Sequence, residues 1–282
     1  MPGIDYEAEY NNRARVPEHA EIFDNWAREA EHYRAEMLED GRAELTVPYG
    51  DTPRQMLDLF LPEKDDGGPL ALFLHGGYWR SLDPGIFSHL ARGLNSHGVA
   101  VAITGYDLCP NVTIAVIVGQ IRRSCAFLWQ RRGRRIVVYG WSAGGHLAAA
   151  MAATDWVSYY PKAPADLVAA GYAISGIYDL APLIKTSANE DLRLDPDDAR
   201  SLSPLFWPLP PGRVFDTTVG ALESSEFKRQ SRALADAWRQ SGAQTRYLEI
   251  GGANHFTIVA ALADPHSAMV ARIAELAQRI RR

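Results

Sequence analysis

Gly140-Trp141-Ser142-Ala143-Gly144 follows the apolar run RIVVY and opens the alanine-rich stretch SAGGHLAAAMAA. Strand, sharp turn and helix in that order would raise the Ser142 hydroxyl on a strained turn, where it can attack a carbonyl carbon. A side chain at either flanking glycine would collide with the neighbouring strand or helix. The five-residue string alone is weak, because a serine capping a glycine-rich helix start would look the same. Its flanks make it specific. A phosphate-binding loop also fits the separation of Gly140 and Gly145, but such a loop needs a lysine and a hydroxyl where His146 and Leu147 stand.

An attacking hydroxyl needs a base, and the base needs a carboxylate behind it. The last apolar run, TRYLEIGGANHF, ends with His255 in a polar, glycine-rich turn. That is the place of a general base when nucleophile, acid and base follow in this order along the chain. The other histidines have weaker claims: His19 and His32 lie on N-terminal helical stretches, His89, His97 and His146 fall on or near helices, and His266 lies beyond the last strand. The acid should follow the preceding strand, where RVFDTTVG runs into ALESSEF. Glu223, three residues past Gly220, could accept the Nδ1–H of His255. A carboxylate merely favoured by a helix dipole is the bland account of the same residue. Glu226 is its nearest competitor, and Asp216, inside the strand, would face the core or a helix.

His75-Gly76-Gly77-Tyr78-Trp79 ends the run PLALFL. It resembles the His-Gly-Gly-Gly loop of esterases with the α/β-hydrolase fold, in which main-chain amides stabilise an oxyanion. By that register the donors are the amides of Gly77, Tyr78 and Ala143, and His75 holds the loop's shape through a hydrogen bond. Aromatic residues stand beside each of these elements: Tyr78, Trp79, Trp141 and Phe256 are the expected substrate-binding side chains, although bulky residues beside tight turns also pack inward.

The elements that must position these residues are legible as alternating patterns. Eight short apolar runs, AELTVPYG, QMLDLFLP, PLALFLH, GVAVAITGY, RIVVYG, LVAAGYAISG, RVFDTTVG and TRYLEIGG, are each bounded by Gly, Pro or Asp and read as strands. Helical stretches separate the later ones: TIAVIVGQIRRSCAFLWQRR, SAGGHLAAAMAATDW and EFKRQSRALADAWRQSG. This alternation predicts an α/β fold, a mainly parallel central sheet flanked by helices, with ligands at the carboxyl ends of the strands. Before it, Ile22, Trp26, Ala30 and Tyr33 recur at helical spacing. We expect one domain over residues 1–282 in which the helical segment 1–40 forms a partial lid.

The chain has 282 residues, 47% of them hydrophobic, enough for one substantial core, and a formal charge of −5 with both signs interleaved. Without a basic surface, neither nucleic acid nor an anionic membrane recommends itself as partner. The expected partner is a small molecule, aromatic by the character of the flanking residues, and homo-oligomerisation stays open. The polar opening MPGIDYEAEYNNRAR is not a secretory signal, no run is long and apolar enough to span a bilayer, and Cys109 and Cys125 are too few for a disulfide framework. A cytoplasmic location is expected. No HExxH, CxxC or GxGxxG string calls for a metal or an organic cofactor.

Several strings agree, in order, with one family. YNNRARVPEH, LHGGYWR, YDLCP, GWSAGGHLAA, ISGIYDLAPL, SSEFKRQS and NHF make the chain similar, over nearly its whole length, to the kynurenine formamidase (arylformamidase) group of α/β-hydrolases and their bacterial esterase-like relatives. The resemblance implies a serine hydrolase that cleaves a small aryl formamide, amide or ester through an acyl-enzyme intermediate, with Ser142, Glu223 and His255 as its triad and no cofactor. Two residues depart from the group: Glu223 stands where an aspartate precedes Ser-x-Glu-Phe, and Trp141 where a histidine precedes the nucleophile. The alternatives are a general short-chain carboxylesterase and a non-catalytic ligand-binding protein that keeps the fold. A metal-dependent hydrolase lacks His or carboxylate pairs at ligand spacing.

Overall fold

All eight apolar runs form strands in the structure, a computed structural model that describes residues 3–280. The strands are β1 (Ala43–Pro48), β2 (Met56–Phe60), β3 (Leu70–Leu74), β4 (Ala100–Thr104), β5 (Ile136–Trp141), β6 (Val168–Ile174), β7 (Val214–Gly220) and β8 (Gln244–Ile250). They make one sheet in the order β1-β2-β4-β3-β5-β6-β7-β8. Only β2 runs against its neighbours; β4, β3 and β5 to β8 pair in parallel. This is the α/β-hydrolase fold.

Burial on both faces explains why the central runs are apolar without interruption, as parallel strands covered on two sides must be. Along β3, Leu70, Leu72 and Leu74 point into one core, shared with Ile136 and Val138 of β5. Ala71 and Phe73 point into the other, shared with Val137, Tyr139 and Trp141. The helices Ile114–Arg132, Ala143–Ala152 and Ser225–Gln240 contribute to the first core. His19–Glu39 and Ala268–Arg279 contribute to the second.

The helix His19–Glu39 buries Trp26, Ala30, Tyr33 and Met37 on one stripe. The Trp26 ring lies 5.5 Å from both Phe87 and Trp141, and the Tyr33 hydroxyl donates to Asn95 Oδ1 at 2.6 Å. Trp26 and Tyr33 are therefore core residues, and the N-terminal residues that line the cavity are Glu7, Tyr10 to Arg13 and, from the first turns of this helix, Phe23. Two small helices that the apolar periodicity does not reveal, Tyr6–Tyr10 and Asn12–Arg15, are capped by Asp5 and Asn11 side chains accepting from Ala8 N and Ala14 N, each at 3.1 Å. Tyr10 stitches this segment down: its hydroxyl donates to Glu226 at 2.9 Å, and its carbonyl accepts from the Tyr78 hydroxyl at 2.6 Å.

Among the described residues no helix is long and apolar enough to cross a membrane.

Candidate active site

The loops that follow β3, β5, β6, β7 and β8 meet at one edge of the sheet, as expected of a parallel sheet that binds its ligand at strand carboxyl ends. Between β5 and the helix Ala143–Ala152, Ser142 takes φ 58° and ψ −122°. A non-glycine residue held there costs about 1–3 kcal/mol, so the surroundings must over-determine it. They do: a Cβ on Gly140 would stand 2.2 Å from the Gly144 carbonyl oxygen, and one on Gly144 would stand 1.9 Å from that of Leu74. The turn can be this sharp only because both flanks lack side chains.

Ser142 Oγ lies 3.1 Å from Nε2 of His255, and Nδ1 of His255 lies 2.7 Å from Oε2 of Glu223. The other carboxylate oxygen accepts from the Ser175 hydroxyl and from the Gly220 amide, each at 2.6 Å. Both oxygens of Glu223 thus act as acceptors, so the imidazole carries its proton on Nδ1 and presents a lone pair on Nε2 to the serine. The longer arm of a glutamate is accommodated by folding back onto the amide of Gly220. Glu226 does not reach His255; it pairs with Arg229 and accepts from Tyr10. Asp216 turns to the helix Ala268–Arg279, where it pairs with Arg272 at 2.6 Å.

Ser175 joins the site through Glu223, although its residue type alone marks no role and it appears in the sequence only inside the string ISGIYDLAPL. It sits in left-handed backbone (φ 52°) just past β6, and its hydroxyl orients the carboxylate that orients the imidazole. Its place in that string, before Gly176 at the carboxyl end of a buried strand, is the signal it carries, and its proximity to Glu223 exists only in the folded sheet.

The loop after β3 carries three consecutive left-handed residues, Gly77, Tyr78 and Trp79, at φ 106°, 51° and 53°. No hydrogen bond among the described residues uses the amide of Gly77 or Tyr78, while the Gly77 carbonyl is taken by the amides of Arg80 and Ser81 at 3.0 Å. His75 behaves as a brace: its Nδ1 lies 2.8 Å from the Gly76 carbonyl and its ring stacks on Tyr106 at 4.3 Å.

A cavity of about 360 Å³ opens at this edge, with Ser142, His255 and Gly77 in its wall. Of the expected substrate-binding residues, Tyr78, Trp141 and Phe256 line it and Trp79 does not. Trp79 is fully buried and packs edge-on against His146 at 5.0 Å, because the left-handed turn sends its ring into the core. Trp141 is largely a support, its indole N–H donating to the His255 carbonyl at 2.8 Å. The cavity also takes Tyr10, Asn12, Arg13 and Phe23 from the N-terminal segment, residues that no pattern in the sequence marks for binding.

Burial pushes the imidazoles of His75 and His146 down from the usual 6.5 to about 4. Both stay neutral in the folded protein at pH values where the unfolded chain takes up protons. Stability is therefore expected to fall as pH drops from 6.5 towards 4, each histidine contributing up to about 1.4 kcal/mol per pH unit. Thermal midpoints at pH 7.5, 6 and 5 check this; a constant or rising midpoint on acidification would contradict it.

The strand order, the strained serine and the histidine–carboxylate pair behind it define a hydrolase of the α/β-hydrolase type. A family model described as BD-FAE matches residues 57–191. The chain is 33% identical to the kynurenine formamidase of Danio rerio over 230 residues, covering 78% of this chain and 77% of that one. It is 30% identical to the kynurenine formamidase of Drosophila melanogaster over 81% of this chain and 82% of that one. A crystal structure from Silicibacter, provisionally described as a thioesterase, superposes with a TM-score of 0.85 at 36% identity, covering 96% of this chain and 99% of that one. The chain belongs to the kynurenine formamidase family, and it is an enzyme.

Proposed function

We propose that this enzyme hydrolyses a small aryl formamide, with N-formylkynurenine as the reference substrate. Ser142 Oγ attacks the formyl carbon as His255 Nε2 accepts its proton, and the amides of Gly77, Tyr78 and Ala143 receive the oxyanion. The C–N bond breaks as His255 returns that proton to the leaving amine. Water, deprotonated by the same imidazole, then releases formate and regenerates Ser142. Glu223 holds the Nδ1–H tautomer and stabilises the imidazolium, and Ser175 and the Gly220 amide hold Glu223. The segment 6–15 roofs the cavity from within a single folded unit.

The observation that carries the reading is the unbroken relay from Ser142 through His255 to Glu223, at 3.1 and 2.7 Å, facing a cavity walled by Tyr10, Phe23, Tyr78, Trp141 and Phe256. Five aromatic side chains favour a flat leaving group, and the names of the relatives supply the formyl group. The test compares kcat/KM for N-formylkynurenine with that for aryl acetate, butyrate and octanoate. Formamide and acetate should lead, with rates falling as the acyl chain grows, by up to about 1–3 kcal/mol per added methylene. A maximum at octanoate with no cleavage of the formamide would replace this reading with a general esterase.

A further inference from the structure

Two consecutive residues of the N-terminal segment, Glu9 and Tyr10, bond to elements on both sides of the relay. Glu9 Oε2 accepts from the Ser225 hydroxyl at 2.7 Å and from the Glu226 amide at 2.9 Å, a free donor in the first turn of the helix Ser225–Gln240. That helix follows directly on the loop that carries Glu223. The Tyr10 hydroxyl donates to Glu226 at 2.9 Å and accepts from Gln230 Nε2 at 2.8 Å on the same helix. Gln230 is itself fixed, its Oε1 accepting from the amides of Tyr178 and Asp179 and its Nε2 donating also to the Asp179 carbonyl. The Tyr10 ring is buried 5.5 Å from that of Phe227, which in turn lies 4.6 Å from the imidazole of His255. Tyr10 is thereby held to one place relative to the acid and the base.

The carbonyl of Tyr10 ends the helix Tyr6–Tyr10, where no intrahelical donor reaches it, and the Tyr78 hydroxyl fills that place at 2.6 Å. Burial pushes the Tyr78 phenol well above its usual range, so the group keeps its proton and stays a donor. Tyr78 stands at φ 51°, a conformation that persists in a non-glycine residue only where the surroundings over-determine it. On either side the main chain is tied down: the Gly77 carbonyl accepts from the amides of Arg80 and Ser81, and the Trp79 carbonyl from the Cys109 amide at 2.8 Å. Among the described residues the one hydrogen bond of Tyr78 itself is that of its phenol to Tyr10. Its main-chain N–H is left for the oxyanion. Stabilisation of that kind depends on donors fixed before the charge develops, so a slack Tyr78 would lose transition-state binding and not substrate binding.

We infer that Tyr10 is a positioning residue for the oxyanion: anchored by its side chain to the helix Ser225–Gln240, it holds the Tyr78 phenol with its carbonyl and so fixes the amide that receives the charge. This rests on the assignment of the Tyr78 amide to the oxyanion in the proposed mechanism, and it is independent of which acyl group is cleaved. The oxyanion loop and the loop of the acid, which come from different strands, are then registered against one residue of the segment that roofs the cavity.

The test uses the full chain, with N-formylkynurenine and phenyl acetate as substrates and trifluoroacetophenone as inhibitor. Ser142 Oγ adds to the ketone carbon of the inhibitor, its proton passing to His255 and the carbonyl electron pair to the oxygen, so the adduct carries an oxyanion where the transition state does. Tyr78→Phe removes only the phenol oxygen. It should lower kcat by about tenfold to a hundredfold, short of the roughly hundredfold to thousandfold loss for a missing donor, with KM within about threefold of wild type. The inhibition constant should rise by the factor by which kcat falls. Tyr10→Phe loosens the anchor but keeps the carbonyl, so it should shift kcat and the inhibition constant together by severalfold; added to Tyr78→Phe it should cost less than about twofold more, because the tie is already cut. Tyr33→Phe, which loses an equally short bond to Asn95 outside the cavity wall, should change neither quantity. Denaturation midpoints establish that each variant is folded, and if Tyr78→Phe is not, Tyr10→Phe carries the test with the same paired shift required. A raised KM at constant kcat would place the phenol on the substrate, a fall in kcat without a change in inhibition would detach the tie from the oxyanion, and multiplicative losses in the double variant would make the two residues independent; each overturns the inference. If phenyl acetate alone is turned over and its kcat follows the inhibition constant, the formamidase reading fails and the positioning role stands. Formamide cleavage untouched by Tyr78→Phe removes the positioning role and leaves the formamidase reading in place.

Discussion

Replacing Ser142 by alanine is expected to lower kcat by at least about a thousandfold while leaving the fold intact, because a nucleophile that forms a covalent intermediate has no substitute in the site. The sharp turn is set by the close approach of Gly140 and Gly144 to neighbouring carbonyl groups, and neither contact involves the serine hydroxyl. The hydroxyl's hydrogen bond is to His255. Stability should therefore change by no more than about 1 kcal/mol, the ordinary worth of one hydrogen bond. Kinetics of the purified variant together with its denaturation midpoint check both halves. Activity within tenfold of wild type would remove Ser142 from the nucleophile's role, and loss of the folded state would show that the hydroxyl is needed for the turn itself.

Glu223→Gln is expected to slow acylation by about two to four orders of magnitude. The reason lies in the hydrogen-bond inventory around the carboxylate. Oε1 accepts from the Ser175 hydroxyl and the Gly220 amide, and Oε2 accepts from His255. A glutamine offers one oxygen and one NH₂ group. The Ser175 hydroxyl can rotate to accept, but the Gly220 N–H can only donate, so the glutamine oxygen must stay on that side. The NH₂ group is then forced towards Nδ1 of His255, which must become an acceptor. That moves the ring proton to Nε2, facing Ser142, the tautomer that cannot take the serine proton. Glu226→Gln disturbs the ties to Tyr10 and Arg229 and should slow the reaction far less. Ser175→Ala removes one of the two bonds to Oε1 and should fall between them. Single-turnover acylation rates for the three variants rank the effects. If Glu226→Gln proved the most damaging, the assignment of the acid to Glu223 would be wrong.

The sheet and the relay were both legible in the amino-acid order, and for local reasons. Burial on two faces leaves apolar runs in the central strands, and the partly exposed edge strands β1 and β8 mix apolar with polar residues between turn signals, so each of the eight strands is marked within a few residues. The residues of the relay lie directly after strands, where a parallel sheet places its ligands, so chain order alone brought Ser142, Glu223 and His255 into one hypothesis. What only the tertiary structure decided is which side chains near those strand ends line the cavity. Trp79 and Tyr78 are neighbours in the chain, yet a left-handed turn sends one ring into the core and leaves the other on the cavity wall. Ser175 and Glu223 are 48 residues apart and meet only because β6 and β7 are adjacent in register. The N-terminal stripe of Trp26 and Tyr33 reads as amphipathic wherever it packs, and helical periodicity cannot say against what. Its docking beneath Trp141 and Phe87 makes it core. The short helices before it bury too little to show a period, and they nevertheless carry Tyr10, Asn12 and Arg13 to the cavity. Periodicity records which residues leave water, and it holds no information about which distant element they meet when they do.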